Sequence, residues 1–417
     1  MKRCHSGRFW LRLTLWAHAI SMLGFYFVIW RRAKPPAARP IQDKASPPAG
    51  GVSVAIIVPA RNEERNIRRC VTSLLEQETA DKERYEALVV DDASTDGTGR
   101  ILEEMTHSHP HGDRLRTLRL ETLPAGWAGK PHALHAGVQQ TQSDWLLFTD
   151  ADTWHAPQAL HAALTQASGD NIDLFSFGTA QELPGFWERV LMPLAYLGIS
   201  MQYPPKLVND PTSHVAIANG QYLLIRRSVY EALGGYARPD LRGTLLDDRD
   251  LARLVKQHGY RLRFVDGRDL VRVRMYRGLG ETWRGWRKNV FLGSRGGLAF
   301  VLLQLIGLPM VTLAPFLLPL ALLFSKMRRA LRLSSREACA AALLELAPPL
   351  AYRWWEDRAL EVPWYYAFTH PLAGALFAGI LAQSAWQVLS GKGVDWRGRR
   401  YYGNGQVQEQ EPNKEMV

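Results

Sequence analysis

Between residues 51 and 150 short apolar runs alternate with helical periodicities, a pattern that leaves few architectures open. Val52 to Val58 is rich in β-branched residues and reads as a buried strand. Residues 63–76 follow it, with Ile67, Cys70, Val71, Leu74 and Leu75 at helical spacing. Ala87 to Val90 reads as a second strand, and Ile101, Leu102 and Met105 mark a second helix, which Ser94, Thr95 or Asp96 would cap. Leu115 to Leu120 reads as a third strand, and a helix around 132–140 leads into a fourth at Trp145 to Thr149. This order predicts an α/β domain on a mainly parallel, Rossmann-like sheet. Such sheets bind ligands beyond the carboxyl ends of their strands.

The flanks are apolar. Residues 13–30 carry no Lys, Arg, Asp or Glu; Lys2, Arg3, Arg8 and Arg12 precede them, and Arg31, Arg32 and Lys34 follow. The stretch is long enough to cross a bilayer core, long for the apolar part of a signal peptide, and not followed by a small-x-small cleavage site. Residues 1–34 are therefore expected to be an uncleaved anchor, and the Pro/Ala-rich residues 35–50 a linker. The α/β domain is expected over 51–275 and an interfacial amphipathic segment over 276–297. A membrane region is expected over 298–390, then a basic segment and disordered tail over 391–417. Within the membrane region, 298–324 and 364–390 are the apolar stretches, the first broken by Pro309, Pro315 and Pro319. Residues 337–352 hold Glu345, Pro348 and Pro349 and are expected to be interfacial or re-entrant. Two spans would return the basic C-terminus to the cytosolic side but leave Lys326, Arg328, Arg329, Arg332 and Arg336 opposite, against the positive-inside rule. A Pro-broken hairpin in 298–324 would remove that conflict, though it is short for two crossings.

Composition narrows the partners. The chain has 51 Lys and Arg against 40 Asp and Glu, a net charge of +11, which suits nucleic acid, an anionic membrane surface or a phosphate-bearing substrate. Zinc-finger spacing, an aromatic RNP-type strand and basic repeats are all missing from the sequence, so nucleic acid is excluded and the membrane favoured. Cys4, Cys70 and Cys339 lie far apart, which argues against a disulfide framework or a zinc site.

Carboxylates cluster at the strand ends. In Phe148-Thr149-Asp150-Ala151-Asp152 two acids follow an apolar strand, and such hard oxygen ligands suit Mg2+ or Mn2+; a solvated turn is the plainer alternative. In Val90-Asp91-Asp92-Ala93-Ser94-Thr95-Asp96 an acid either accepts from a nucleobase imide or ribose hydroxyl, or caps the next helix. In Val58-Pro59-Ala60-Arg61-Asn62-Glu63-Glu64 the glutamates also fit the first turn of a helix. Asp247 and Asp248 precede Leu251, Leu254 and Val255 at helical spacing, so they act either as caps or as catalytic acids. The first strand lacks a following Gly-x-Gly-x-x-Gly, which argues against a dinucleotide-dependent dehydrogenase.

Four blocks, VSVAIIVPARNEERNI, VVDDASTDGT, WAGKPHALHAGV and LLFTDAD, resemble glycosyltransferase family 2 in order and spacing. The resemblance implies the GT-A fold, with Pro59, Ala60, Asn62, Glu63, Asp91 and Asp92 holding the nucleotide and Lys130 approaching the diphosphate. It implies Asp150 and Asp152 as metal ligands, Asp150 facing the donor, and Asp248 as general base beside Asp247 on the acceptor side. Arg61 stands where the family commonly has an aromatic residue. Gln221, in Ala218-Asn219-Gly220-Gln221-Tyr222, either bonds the donor sugar or is a satisfied polar residue in the sheet. Arg274-Met275-Tyr276 with Gly285-Trp286-Arg287-Lys288-Asn289 looks like the variant in family members that glycosylate carotenoid-like or other isoprenoid lipids. That implies Trp283, Trp286, Arg287 and Lys288 on the acceptor and diphosphate side; an interfacial belt before an apolar span is the alternative, and both can hold. Trp396-Arg397-Gly398-Arg399-Arg400-Tyr401 resembles the ending of the same enzymes. The implied activity is inverting transfer from a nucleotide sugar, a UDP-sugar being expected, to a lipid-linked or isoprenoid acceptor. Its implied place is the cytosolic face of a bacterial cytoplasmic membrane. A processive polysaccharide synthase would want more spans. An inactive scaffold would show a lesion, whereas Asp92, Asp150, Asp152 and Asp248 are all acidic.

Overall fold

The computed structural model describes residues 2–33, 51–79, 83–293, 297–396, 399–401 and 407–409. The expected linker, 35–50, lies outside the described residues. The chain divides into two units. The first comprises Pro35–Glu182, Pro205–Met275 and Ser390–Val417; the second comprises Met1–Lys34, Leu183–Pro204 and Tyr276–Leu389.

The first unit is built on a seven-stranded sheet. Its strands are β1 (Val52–Ala60), β2 (Glu83–Asp92), β3 (Leu115–Leu120), β4 (Trp145–Phe148), β6 (Leu174–Gly178), β8 (Leu223–Arg226) and β9 (Leu262–Asp266), in the order β3-β2-β1-β4-β8-β6-β9. β5 (Thr153–His155), β7 (Ala180–Gln181) and β10 (Val271–Val273) form a second, three-stranded sheet. β1 pairs in parallel with β2 and β4, and β2 with β3, as the strand–helix alternation predicts. Within the seven-stranded sheet only β8 runs against its neighbours, β4 and β6. Val54, Ile56, Val58 and Leu147 are fully buried, and with Ile67, Cys70, Val71, Leu74 and Leu75 of helix Ile67–Leu75 they join one core. That burial on both faces explains why these strands read as continuous apolar runs.

The reversed β8 matters for the site. Because Phe148 faces Leu223 in the register, the turn before β8 lies at the same edge as the loop after β4. Parallel β1 and β2, with Ala60 beside Asp91, bring their loops to that edge as well. The C-terminal residues form a small antiparallel sheet of β11 (Val394–Trp396), β12 (Arg399–Tyr401) and β13 (Val407–Glu409). β13 is ordered strand where the sequence suggested disorder; the rest of the tail, 402–406 and 410–417, lies outside the described residues.

The second unit is helical. Phe9–Arg32, within helix Lys2–Ala33, and Trp364–Gln387 are long and apolar enough to cross a membrane. Val301–Thr312 and Ala314–Leu323 pass the same test together but are bent by 44°. Pro309 and Pro315 flank the break, as expected where a missing N–H and a ring clash interrupt the helical ladder. Residues 337–352 lie inside one helix, Ser335–Ala359, which opens on a capping box between Ser334 and Glu337. Glu345 is buried there because His18 Nδ1 meets its carboxylate at 2.8 Å. Helix Phe186–Gln202 buries Val190, Leu191, Leu194 and Leu197 with Met22, Tyr26, Tyr352 and Phe377, so within this unit it is a core helix. Arg353 ties it down by donating to the Arg189 carbonyl at 2.6 Å while pairing with Asp357 at 2.7 Å.

Candidate active site

Three loops meet at the carboxyl edge of β1, β2 and β4. The loop after β1 is lashed to the loop after β2. Asn62 Oδ1 accepts from the Thr95 amide at 2.8 Å, the Asn62 amide donates to Ser94 Oγ at 2.9 Å, and the Glu63 amide donates to Thr98 Oγ1 at 2.8 Å. Asn62 and Ala93 both adopt left-handed backbone, φ 55° and 53°. Asn tolerates that conformation; Ala does so only under strain held by its surroundings. Helix Thr98–Ser108 has Gly97 at its N-cap rather than Ser94, Thr95 or Asp96; Asp96 lies one residue earlier, its Oδ1 accepting from the Thr98 amide at 3.0 Å.

Asp91 and Asp92 have different neighbours, although both are buried. Asp91 accepts from the Ser94 amide at 2.9 Å and from Arg119 at 2.8 Å, which fixes the turn. Asp92 pairs with Arg399 of β12, while its carbonyl accepts from Arg61 at 2.8 Å. Arg61, standing where the family commonly carries an aromatic residue, thus braces the β2 edge. Glu63 accepts from Asn66 Nδ2 at 2.8 Å, but it precedes helix Ile67–Leu75, whose first turn holds no acid, so it is not the first-turn residue the sequence suggested.

The second cluster is centred on Lys130. Its ammonium lies 2.8 Å from Asp150 and 3.3 Å from Asp247. Asp248 completes the group: its Oδ2 accepts from the Gly220 amide at 2.8 Å, and its Oδ1 from the Arg249 amide at 2.7 Å. A Cβ on Gly220 would lie 2.6 Å from the Lys130 Nζ, so a side chain there would displace the ammonium from the cluster. Acids at the start of helix Asp247–Gln257 suit the helix dipole, whereas Lys130, at the start of helix Gly129–Gln139, sits at the wrong end for a cation. The carboxylates offset that cost: burial opposes the charge on Lys130, but Asp150, Asp247 and Asp248 more than compensate and hold its pKa above the ordinary value. Burial pushes Asp247 up to about 6, with Asp248 and Asp150 adding to the rise and Lys130 opposing it.

The Asp-Ala-Asp turn is braced from behind. Thr153 Oγ1 donates to the Asp150 carbonyl at 2.7 Å, and Thr149 Oγ1 to the Gln221 carbonyl at 2.8 Å. Both hydroxyls reach His155 Nε2, and burial drives that imidazole down to about 3, so it stays neutral. Asp150 and Asp152 offer two hard carboxylates, and no group of three or more His, Cys, Asp or Glu able to hold a metal occurs among the described residues. Two carboxylates still fit Mg2+ or Mn2+ when a substrate diphosphate and water complete the shell.

Gln221 lies in the turn before β8, where its Oε1 accepts from Thr179 and, at 3.2 Å, from Asn219. Trp283, Trp286, Arg287 and Lys288 belong to the helical unit, on helix Gly278–Gly293. There Trp283 donates to Gln383 at 2.5 Å and Trp286 to the Met192 sulfur at 3.3 Å. Sequence reasoning assigned no role to Thr149, Thr153, His155, Arg119 or Arg399. The alternation Thr-x-x-x-Thr-x-His across the Asp-Ala-Asp turn was a readable signal for the first three.

Residues 55–234 match the profile of Glycosyl transferase family 2. The 4,4'-diaponeurosporenoate glycosyltransferase of Staphylococcus haemolyticus is 36% identical over 100 residues, 24% of this chain and 24% of that enzyme. The enzyme of the same name from Staphylococcus aureus is 24% identical over 355 residues, 84% of this chain and 88% of its own length. Among solved structures, a mannosyltransferase from Pyrobaculum calidifontis, in complex with GDP-Man and Mn2+, covers 91% of this chain and 97% of its own. It superimposes with a TM-score of 0.51 at 22% identity, a likeness of fold. With this profile laid over these strand-end acids, residues 55–234 form a glycosyltransferase family 2 domain, and the fold around it is that of a GT-A glycosyltransferase.

Proposed function

We propose that this enzyme transfers a sugar, with inversion, from a nucleotide sugar to a lipid or isoprenoid acceptor at the cytosolic face of a bacterial membrane. The observation that carries the reading is the convergence of Asp150, Asp247 and Asp248 on Lys130 at the edge where β1, β2 and β4 end. The donor's nucleoside lies along the loops after β1 and β2, with Pro59, Ala60, Asn62, Glu63 and Asp92 around it. Lys130 faces the diphosphate. Asp150 and Asp152 would hold a divalent ion, and that ion would supply Lewis-acid neutralisation of charge on the departing nucleoside diphosphate.

Asp248 is the general base. Both its oxygens accept backbone amides, which fix the carboxylate's direction while leaving lone pairs to take the acceptor hydroxyl's proton. The hydroxyl oxygen then bonds to the anomeric carbon opposite the leaving phosphate, and the configuration inverts. The relatives named for diaponeurosporenoate, and the two helices apolar enough to cross a membrane, support an isoprenoid acceptor and a membrane site. The relative bound to GDP-Man and Mn2+ supports a nucleotide-sugar donor and a divalent ion.

The test is lipid extraction from cells carrying the wild-type chain or the Asp248→Asn variant. One glycolipid is expected to vanish in the variant, its mass naming sugar and acceptor together. Identical lipid profiles, with both proteins expressed equally, would overturn the assignment.

A further inference from the structure

The chain's C-terminal segment reaches the nucleotide edge of its own catalytic unit. Arg399 is 1% exposed, and its guanidinium grips Asp92 through two nitrogens: Nη2 lies 3.0 Å from Oδ1, and Nη1 contacts Oδ2 more closely still. The pairing spans 307 positions of sequence. It is built for: a Cβ on Gly129 would collide with Arg399 Nη1 and lie 2.7 Å from Asp92 Oδ2. The Tyr401 hydroxyl meets the Gly129 amide on the same spot. A planar fork matched to a carboxylate fixes orientation as well as charge, which a lysine cannot do.

The charge balance of this edge gives the pairing a purpose. Asp150, Asp247 and Asp248 surround Lys130, and Asp92 lies against Gly129, the residue before it, at the edge where the diphosphate is proposed to dock. An unpaired Asp92 would repel that ligand and would be free to rotate. We infer that Arg399 is a positioning residue for the donor: it fixes the Asp92 carboxylate toward the nucleoside and cancels its charge, so that nucleoside diphosphate binding depends on the C-terminal strand β12. The inference rests on the donor site proposed above.

The experiment uses the full chain in detergent and measures UDP and GDP binding by calorimetry with Mn2+ present. Donor KM and kcat are taken alongside, for wild type, Arg399→Ala, Arg399→Lys, Asp92→Asn and the double variant Asp92→Asn/Arg399→Ala. Arg399→Ala is expected to weaken binding and raise donor KM roughly 10- to 100-fold, the scale of a lost charge-assisted contact, with kcat at saturating donor nearly unchanged. Arg399→Lys is expected to recover part of the loss, and Arg399→Ala to cost less once Asp92 is already Asn. A purely structural role would instead lower the melting temperature and the active fraction at constant KM, and that result overturns the inference. Unchanged or tighter nucleotide binding in Arg399→Ala also overturns it, the latter marking the strand as a plug. If wild type binds neither UDP nor GDP, the donor site and this inference fall together; if wild type binds and the variants match it, only this inference falls.

Discussion

Replacing Lys130 by Met removes the one cation at the centre of three carboxylates while keeping most of the side-chain volume. At an effective dielectric of about 20, the 2.8 Å contact with Asp150 is a gross attraction of about 6 kcal/mol and the 3.3 Å contact with Asp247 about 5. Desolvation cancels much of this, and breaking a buried pair costs a net of about 3 to 5 kcal/mol. Lys130 and Asp150 keep 30% and 32% of their side-chain surface, so the lower end, about 3 kcal/mol, is expected. Two consequences can be read separately. Losing the cation that faces the diphosphate costs about 1.5 to 3 kcal/mol, or roughly 10- to 150-fold in nucleoside diphosphate affinity. Losing the charge that opposes the rise of Asp247 sends that carboxyl above about 6, so the acid limb of the pH–activity profile moves to higher pH. Calorimetric titration with UDP and GDP, together with rate profiles from pH 5 to 9, reads both. Wild-type affinity and an unmoved acid limb in Lys130→Met would refute the placing of the diphosphate at this cluster.

Other predictions follow from the same geometry. Asp152→Ala is expected to abolish sugar transfer and weaken metal-dependent nucleotide binding; full turnover of the variant, or of the wild type in EDTA, would remove the metal from Asp150 and Asp152. Asp248→Asn is expected to lower kcat by about 10²- to 10⁴-fold with little change in donor KM, and an equal loss in both would argue for a binding role instead. Asp247 binds a proton more tightly folded than unfolded, so its ionisation destabilises the fold as pH rises from about 4 to about 6 and no further. In EDTA, the melting temperature of wild type relative to Asp247→Asn should therefore fall across that window, by an equivalent of at most about 3 kcal/mol; parallel profiles would contradict the buried, raised carboxyl. Thr153→Val removes the hydroxyl joining the Asp150 carbonyl to His155, and about 1 to 3 kcal/mol of stability should go with it. A melting curve matching wild type would show that this brace is dispensable.

The sequence by itself determined whatever depends on neighbours along the chain. The apolar runs at Val52 to Val58 and Trp145 to Phe148 read as buried strands, and adjacent parallel strands must deliver their following loops to one edge. Lys130 was legible only through the resemblance, because the sequence placed the next helix around 132–140; that Lys130 opens helix Gly129–Gln139, the unfavourable end for a cation, came from the structure. The tertiary structure decided what depends on distant partners. Sequence cannot tell that Asp91 meets Arg119 and Ser94 while Asp92 meets Arg399, or that Gln221 Oε1 accepts from Thr179 and Asn219. Nor could it tell that 183–204 belongs with the helical unit and 390–417 with the catalytic one. Apolar periodicity records that a face is buried, and a carboxylate records that a charge needs company. Which surface covers the one, and which cation answers the other, is fixed only when segments hundreds of residues apart come into contact.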